Sequence, residues 1–263
     1  MKKLAAIALG VTAFAALVVS AMAASTVVVT PTNTQGWSTA DTAGGGAVNF
    51  IADATAPGGV GALQLTTNAT TASKAQYMHA ANVSLANVTE LSYYTKQVSA
   101  SFAGGDASYQ LPVCLGGVSG TTCNGFTTLV YEPYENGVVT PGAWQTWDVD
   151  AGQFWSTRSY SNGTCNTVAG AGGAPFYTLA MLQAACPSAV VVGFGVNIGS
   201  NNPSYNVETD LVNFNGTTYD FEPYAVAHDK DQCKDGGWQT AKRADGSSFK
   251  NQGDCVSYTN NGR

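Results

Sequence analysis

The sequence predicts an all-β protein, a two-sheet antiparallel sandwich, and three observations carry that prediction. Short runs rich in β-branched and aromatic residues follow one another along most of the chain, several alternating with period two. Gly, Asn, Asp or Pro punctuates most of the intervals between them. Charged residues make up only 11% of the 263, while Thr, Ser, Asn and Gly are abundant. A neutral polar surface of that kind suits an extracellular sandwich better than a helical bundle.

The predicted strands are, in order, "STVVVT", "AVNFIAD", "GALQLTT", "VTELSYYTKQV", "ASYQLPVCL", "FTTLVYEPY", "WQTWDVD", "AVVVGFGVNIG" and "ETDLVNFNG". Within them Leu63 and Leu65, and Tyr109, Leu111 and Val113, share a parity that points them inward. One helix interrupts the series in "PFYTLAMLQAACP". Pro175 is expected near its start, Leu179, Leu182 and Cys186 recur at helical steps, and Pro187 ends it. Glycine-rich stretches at Gly44–Gly46 and Gly170–Gly173 read as mobile turns.

Residues 1–23 have a secretory leader's three parts: basic Lys2 and Lys3, an apolar run, and a small-x-small site at Ala21-Met22-Ala23. The apolar run is short for a bilayer span, so cleavage before Ala24 is expected, with no membrane span afterwards. The product is expected outside the cell or at its surface. All six cysteines lie beyond the leader, and an oxidising compartment makes them a disulfide framework. Nearest-neighbour pairing is the simplest of the 15 possibilities: Cys114 with Cys123, Cys165 with Cys186, and Cys233 with Cys255. Zinc is disfavoured, since no CxxC pair occurs and the histidines are His79 and His228 alone.

Charge divides the exported part. Residues 24–227 carry three bases (Lys74, Lys96, Arg158) against 12 acids, whereas residues 228–263 carry six bases against five acids. A sandwich domain over 24–227 with a small stapled module over 228–263 is therefore expected. The acidic balance argues against nucleic acid as a partner.

"GALQLTT", "VTELSYYTKQ", "WQTWDVDAGQFWST", "LAMLQAACPSAVVVGFGVNIGS" and "TDLVNFNGTTYDFEP" together resemble secreted bacterial jelly-roll domains. These are related to galactose-binding-like and concanavalin-like carbohydrate-binding modules, and the resemblance runs from about Trp37 to Pro223. It implies a jelly-roll sandwich that binds glycan. It also implies that Asp210 occupies a position that commonly anchors the last strand or binds calcium. The tail separately resembles a short C-terminal segment of secreted bacterial proteins, of the form CKxGGWxxF…FKNQGxCVSF. Cys233, Lys234, Gly236, Gly237, Trp238, Phe249 to Gly253, Cys255, Val256 and Ser257 fit it, while Ala241 and Tyr258 depart from it.

Aromatic residues are the best functional signal, because sugar C–H faces stack on Trp and Tyr while polar side chains take the hydroxyls. In "WQTWDVDAGQFW" Trp147 shares its parity with Val149 and is assigned to the core, whereas Trp144, Thr146 and Asp148 share the solvent face. Trp144, Asp148, Trp155 and Tyr134 are thus the candidate ligand-binding residues, with Trp155 capping the site of Trp144. Glycoside hydrolysis needs two convergent carboxylates, and Glu132, Asp148, Asp150, Glu208 and Asp210 are candidates whose spacing fixes nothing. Asp210, Asp220 and Glu222 are the candidates for structural calcium, although no calcium-loop spacing is present. No GxSxG, HExxH or Walker motif occurs, and a Ser-His-Asp arrangement would depend on His79.

In the tail, a Cys233–Cys255 bridge, a buried Trp238, and short helical turns capped by Asp229 or Ser248 are expected to substitute for a large core. Lys234, Lys242, Arg243 and Lys250 are candidates to dock an anionic envelope component. The expected function is non-catalytic binding of extracellular or cell-surface glycan. The alternatives are a structural matrix protein without small ligand, and a glycan-processing enzyme.

Overall fold

The computed structural model describes residues 25–163 and 165–261. The leader, its Lys2, Lys3 and cleavage site, and Arg263 lie outside the described residues. The first half of the chain forms β1 (Ser25–Val29), β2 (Trp37–Ser38), β3 (Ala47–Ala52), β4 (Gly61–Thr66), β5 (Ala75–Ser84) and β6 (Leu91–Ser99). Next come β7 (Ser108–Cys114), β8 (Val118–Ser119), β9 (Thr122–Cys123), β10 (Phe126–Tyr131) and a one-turn helix α1 (Pro133–Asn136). They are followed by β11 (Gln145–Asp148), β12 (Gln153–Ser156), β13 (Tyr160–Asn162) and β14 (Cys165–Val168). The main body closes with β15 (Tyr177–Thr178), α2 (Leu179–Ala185), β16 (Val190–Ile198), β17 (Asn206–Phe214) and β18 (Thr217–Phe221), and α3 (Gln252–Asn260) lies in the tail.

Two seven-stranded sheets make the sandwich, the architecture expected from the sequence. The second sheet is ordered β15-β12-β10-β7-β16-β5-β2 and is antiparallel throughout. In the first sheet β17 is the hub. One of its edges pairs with β6, which in turn pairs with β11. Its other edge is shared: residues 206–209 pair with β4 and residues 212–214 with β18. The change of partner falls at a bulge where Leu211 takes a left-handed φ of 48°. β3 extends the sheet beyond β4, and β1 pairs with β18 in parallel. Successive strands cross between layers (β4 to β5, β5 to β6, β6 to β7, β16 to β17), as a jelly roll requires.

Alternation drives the burial. Leu63, Leu65, Tyr109, Leu111 and Val113 all face the core, with Trp147 and Val149. Trp37 from the two-residue β2 sits in an aromatic cluster, stacked on Tyr77 at 5.2 Å and meeting Phe194, Tyr219 and Phe221 edge-on at 5.0–5.4 Å. Two buried tyrosine hydroxyls find acceptors: Tyr93 donates to the Ala107 carbonyl and Tyr109 to that of Asn213.

Three disulfides are present, Cys114–Cys123, Cys165–Cys186 and Cys233–Cys255. Some local expectations are corrected. The helix after "PFY" begins at Leu179, with Thr178 as its cap, its hydroxyl accepting from the Met181 N–H; Pro175 lies upstream of it. Gly44–Gly46 is a close approach of two backbones: a Cβ on Gly46 would fall 2.1 Å from the Lys74 carbonyl oxygen. In the tail the buried aromatic is Phe249 (5% exposed), with Trp238 packed half-buried beside it. Indole is too large for a core of Ala227, Cys233, Ala241 and Cys255 to enclose. Asp229 caps the 3-10 turn at Lys230–Cys233 in a capping box, and Asn251, not Ser248, caps α3.

Candidate functional site

The outer face of the second sheet is concave, and the pairing register defines its floor. Directly paired residues in a sheet project from the same face. Met78, Gly195, Gln110, Val130 and Trp155 form one continuous row across β5, β16, β7, β10 and β12. The inward neighbours Tyr77, Tyr109, Leu129 and Phe154 fill the core, so this row points away from it. Gly195, midway along the row, leaves the floor low; a Cβ there would meet the Tyr77 carbonyl oxygen at 2.2 Å. A second row of Gln76, Asn197 and Ser108 runs beside it. The Asn197 amide donates to Gln76 Oε1 at 3.0 Å, and Gln76 Nε2 donates to Asp41 at 3.2 Å, which fixes the floor amides.

Two adjoining cavities occupy this face, of about 500 Å³ and about 400 Å³. They share Glu132, Trp155, Asn197, Gly199, Ser200 and Asn202 and form one groove. The larger end is lined by Asp41, Lys74, Gln110, Phe126 and Arg158, and the smaller end by Phe102, Asp106, Tyr134 and Tyr205. Tyr134 (42% exposed) meets Phe102 (52% exposed) edge-to-face at 5.4 Å, giving an aromatic rim. Trp155 is half-buried and borders both ends.

Of the four residues expected to bind ligand, the structure brings Trp155 and Tyr134 to this groove and places the other two elsewhere. Trp144 lies on the outer face of the opposite sheet. There its Nε1 donates to Asp53 at 3.2 Å, and the Lys96 ammonium sits 5.1 Å from its ring centroid. One ring face is therefore covered by a cation and the N–H is engaged, so Trp144 does not share a site with Trp155. Lys96 pairs with both Asp53 and Glu208. Burial favours the neutral form of Asp53, but the Lys96 and Thr55 hydrogen bonds outweigh it and hold the carboxyl below its ordinary range. Asp148 lines a separate depression at the sandwich edge with Tyr131, Glu135 and Gln153.

The carboxylates singled out from the sequence are dispersed. Asp150 accepts from the Leu91 N–H at 2.6 Å, Glu208 is bound to Lys96, and Asp210 lies within the first sheet. Glu132 alone reaches the groove, joined there by Asp106, which sequence reasoning missed. Burial pushes Asp106 up to about 7, although Thr95 Oγ1 and the Ala107 N–H donate to it. Burial, then the charges of Glu135 and Asp106, push Glu132 up to about 8. Hydrolysis needs one carboxyl kept protonated and one kept ionised. Here both move the same way. His79 is structural, its ring nitrogens facing the carbonyls of Ala80 and Gln35.

Asp210, Asp220 and Glu222 do meet in space, at the fork of the first sheet. Asp210 is fully buried; its Oδ1 accepts from the Phe221 N–H at 3.0 Å and its Oδ2 from the Gly58 N–H at 3.1 Å. It thereby ties the β4 side of the fork to the β18 side. Both Glu222 oxygens accept from the Val60 N–H. Asp220 Oδ1 is buried without a donor. The set does not fit calcium: Asp210 and Glu222 already accept from backbone N–H groups, and among the described residues no three acidic, His or Cys side chains are arranged to hold a metal. Burial pushes Asp210 up to about 7 and Glu222 up to about 8, and Asp220 is also raised. A proton on Glu222 or Asp220 would supply the donor that the cluster otherwise lacks.

The basic residues of the tail are largely occupied within it. Lys234 pairs with Asp231, Lys242 donates to Ser248, and Arg243 pairs with Asp254 at 2.7 Å while lying 4.6 Å from the Phe249 ring centroid. Among the described residues no helix is long and apolar enough to cross a membrane.

No family model and no curated protein matches this chain. Two solved structures from Clostridium thermocellum are similar to it. One is a family 11 carbohydrate-binding module in complex with a β-1,3-1,4-mixed-linked tetrasaccharide, at 14% identity over 68% of this chain and 88% of that one, with a TM-score of 0.38. The other is the family 11 module of the cellulosomal cellulase Lic26A-Cel5E, at 11% identity over 68% and 86%, with a TM-score of 0.39. At that level of similarity, function has to be argued from this chain's own groove.

Proposed function

We propose that this protein is exported and binds a polysaccharide, without cleaving it, in the groove on the outer face of the second sheet. The observation that carries this reading is the row Met78–Gly195–Gln110–Val130–Trp155. Met78, Gln110 and Trp155 of this row line the groove, with the half-buried indole at one side and fixed amides beside it. Stacking on Trp155 with hydrogen bonds to Gln76, Gln110, Asn197 and Asn202 is the chemistry that a chain of sugars offers. Burial raises Asp106 and Glu132 towards the neutral acid, which makes them partners for sugar hydroxyls. Export is supported by the leader and by three disulfides in a chain with no free cysteine among the described residues. Residues 228–261, with their own stapled cluster around Phe249, are a small appendage to the sandwich.

A polysaccharide array read with the exported chain, and repeated with Trp155→Ala, tests the proposal. Specific retention that is lost in Trp155→Ala, with the fold intact, is the expected result. No retention on any plant, microbial or host polysaccharide would overturn it in favour of a structural surface protein.

A further inference from the structure

We propose that the groove selects an anionic polysaccharide, whose carboxylate or sulfate groups are met by Lys74 and Arg158. This rests on the polysaccharide reading above and narrows it to a substrate class. Residues 24–227 contain only three bases against 12 acids. Lys96 is neutralised by Asp53 and Glu208 on the opposite sheet. The other two, Lys74 and Arg158, both line the larger end of the groove. Neither takes part in an ion pair among the described residues. In so acidic a sandwich, the two uncompensated cations stand at one cavity.

Neither acid lining the same cavity forms an ion pair with them among the described residues. Asp41 accepts from the Gln76 amide at 3.2 Å, and burial raises Glu132 to about 8, towards the neutral acid. The backbone of Lys74 and the guanidinium of Arg158 are each held in place. The Lys74 backbone pairs with Ala43 through both its N–H and its carbonyl, each at 3.0 Å, and Gly46 packs against that carbonyl. The Arg158 guanidinium lies 5.4 Å from the centroid of the Phe126 ring, which lines the cavity too. Stacking on a ring leaves the N–H edge of a guanidinium available for a bidentate oxyanion.

Lys74 adjoins β5 and Arg158 follows β12, four strand spacings apart, roughly 19 Å measured across the sheet. A chain of several charged sugars lying along the row that ends at Trp155 would pass both positions.

The test is affinity electrophoresis and calorimetry of the full exported chain against three probes: polygalacturonate (carboxylate), dextran sulfate (sulfate ester) and neutral mixed-linkage β-glucan. The expected result is preference for one of the two anionic polymers. That binding weakens at least tenfold in the Lys74→Ala/Arg158→Ala double variant, and weakens as salt is raised from about 50 mM to about 500 mM. Both side chains are solvent-accessible, and Lys74→Gln/Arg158→Gln serves as a second variant if the first misfolds. Which anionic probe wins distinguishes carboxylate from sulfate. Equal or better binding of the neutral glucan, unchanged in the double variant, overturns the anionic inference and leaves the polysaccharide reading standing. Anion binding that survives in the double variant also overturns it. Failure to bind any of the three probes or any arrayed polysaccharide overturns both.

Discussion

Glu222→Gln is the perturbation that best exposes how the forked sheet is held. In the native chain Glu222 accepts from the Val60 N–H and lies beside Asp220, whose Oδ1 lacks a donor. Burial raises Glu222 from 4.5 to about 8, so the folded state binds this proton more tightly than the unfolded chain does. The resulting stabilisation is complete below about pH 4.5 and is lost as pH rises through about 8. At about 1.4 kcal/mol per pH unit the full displacement is worth up to roughly 5 kcal/mol. Sharing of the proton with Asp220 reduces what one substitution can report to on the order of 2 kcal/mol. Gln keeps an acceptor for Val60 and adds an N–H facing Asp220, without a titrating proton. Urea unfolding from pH 4.5 to 8.5, in chelator-containing buffer, should show native stability falling towards high pH. Glu222→Gln should match the native chain near pH 4.5 and exceed it by about 2 kcal/mol near pH 8.5, a Tm gain of about 4–8 °C. Parallel curves for the two proteins would refute the argument. So would calcium raising native stability by an amount that Glu222→Gln abolishes, which would mean that the cluster takes a cation instead of a proton.

Other substitutions test the remaining assignments. Trp155→Ala should weaken polysaccharide binding about tenfold, whereas Trp144→Phe should leave it unchanged, both read by calorimetry. Lys96→Met should destabilise folding by about 3 kcal/mol in denaturant titration, because it leaves Asp53 and Glu208 without their cation. Cys233→Ser/Cys255→Ser removes a bridge worth about 3 kcal/mol in the chain-entropy model. It should raise hydrogen exchange across residues 228–261 while protection of β7 and β16 stays native; loss of protection throughout would argue against a separate tail unit.

Much of the sandwich was legible because its strands alternate. The parity that put Leu63, Leu65, Tyr109, Leu111 and Val113 inside is a local property, and period two suffices to read it. The groove was less legible. Its floor joins Met78, Gly195, Gln110, Val130 and Trp155 from five strands, and pairing register is not written in any one of them. A usable signal existed: Gln76, Gln110 and Asn197 are amides at outward positions of otherwise apolar strands. The pairing of Trp144 with Trp155 failed because the ten residues between them cross from one sheet to the other, so that nearness in sequence became opposite faces. Trp238 was overvalued for a related reason. Size marks an aromatic as a core candidate, but the tail's enclosed volume accommodates Phe249 and leaves the indole partly outside. The carboxyls of Asp210, Asp220 and Glu222 were noticed together, yet their backbone partners Gly58, Val60 and Phe221 become visible only once the fork of β17 is known.

The parallel pairing of β1 with β18 has a mechanical consequence. Five consecutive pairs, from Ser25–Thr217 to Val29–Phe221, join the first strand to the last, and the two run in the same direction. Tension applied between the chain's leading strand and its tail therefore pulls the strands along their length in opposite senses. Such a load falls on all five pairs together, as in a lap joint, and cannot peel them one by one. Pulling from the two ends should give one abrupt rupture of this seam, while pulling from a loop of the second sheet should give stepwise, lower-force opening. A load carried from the leading strand to the tail therefore meets its strongest seam in line, whereas one carried from the groove to the tail bypasses β1.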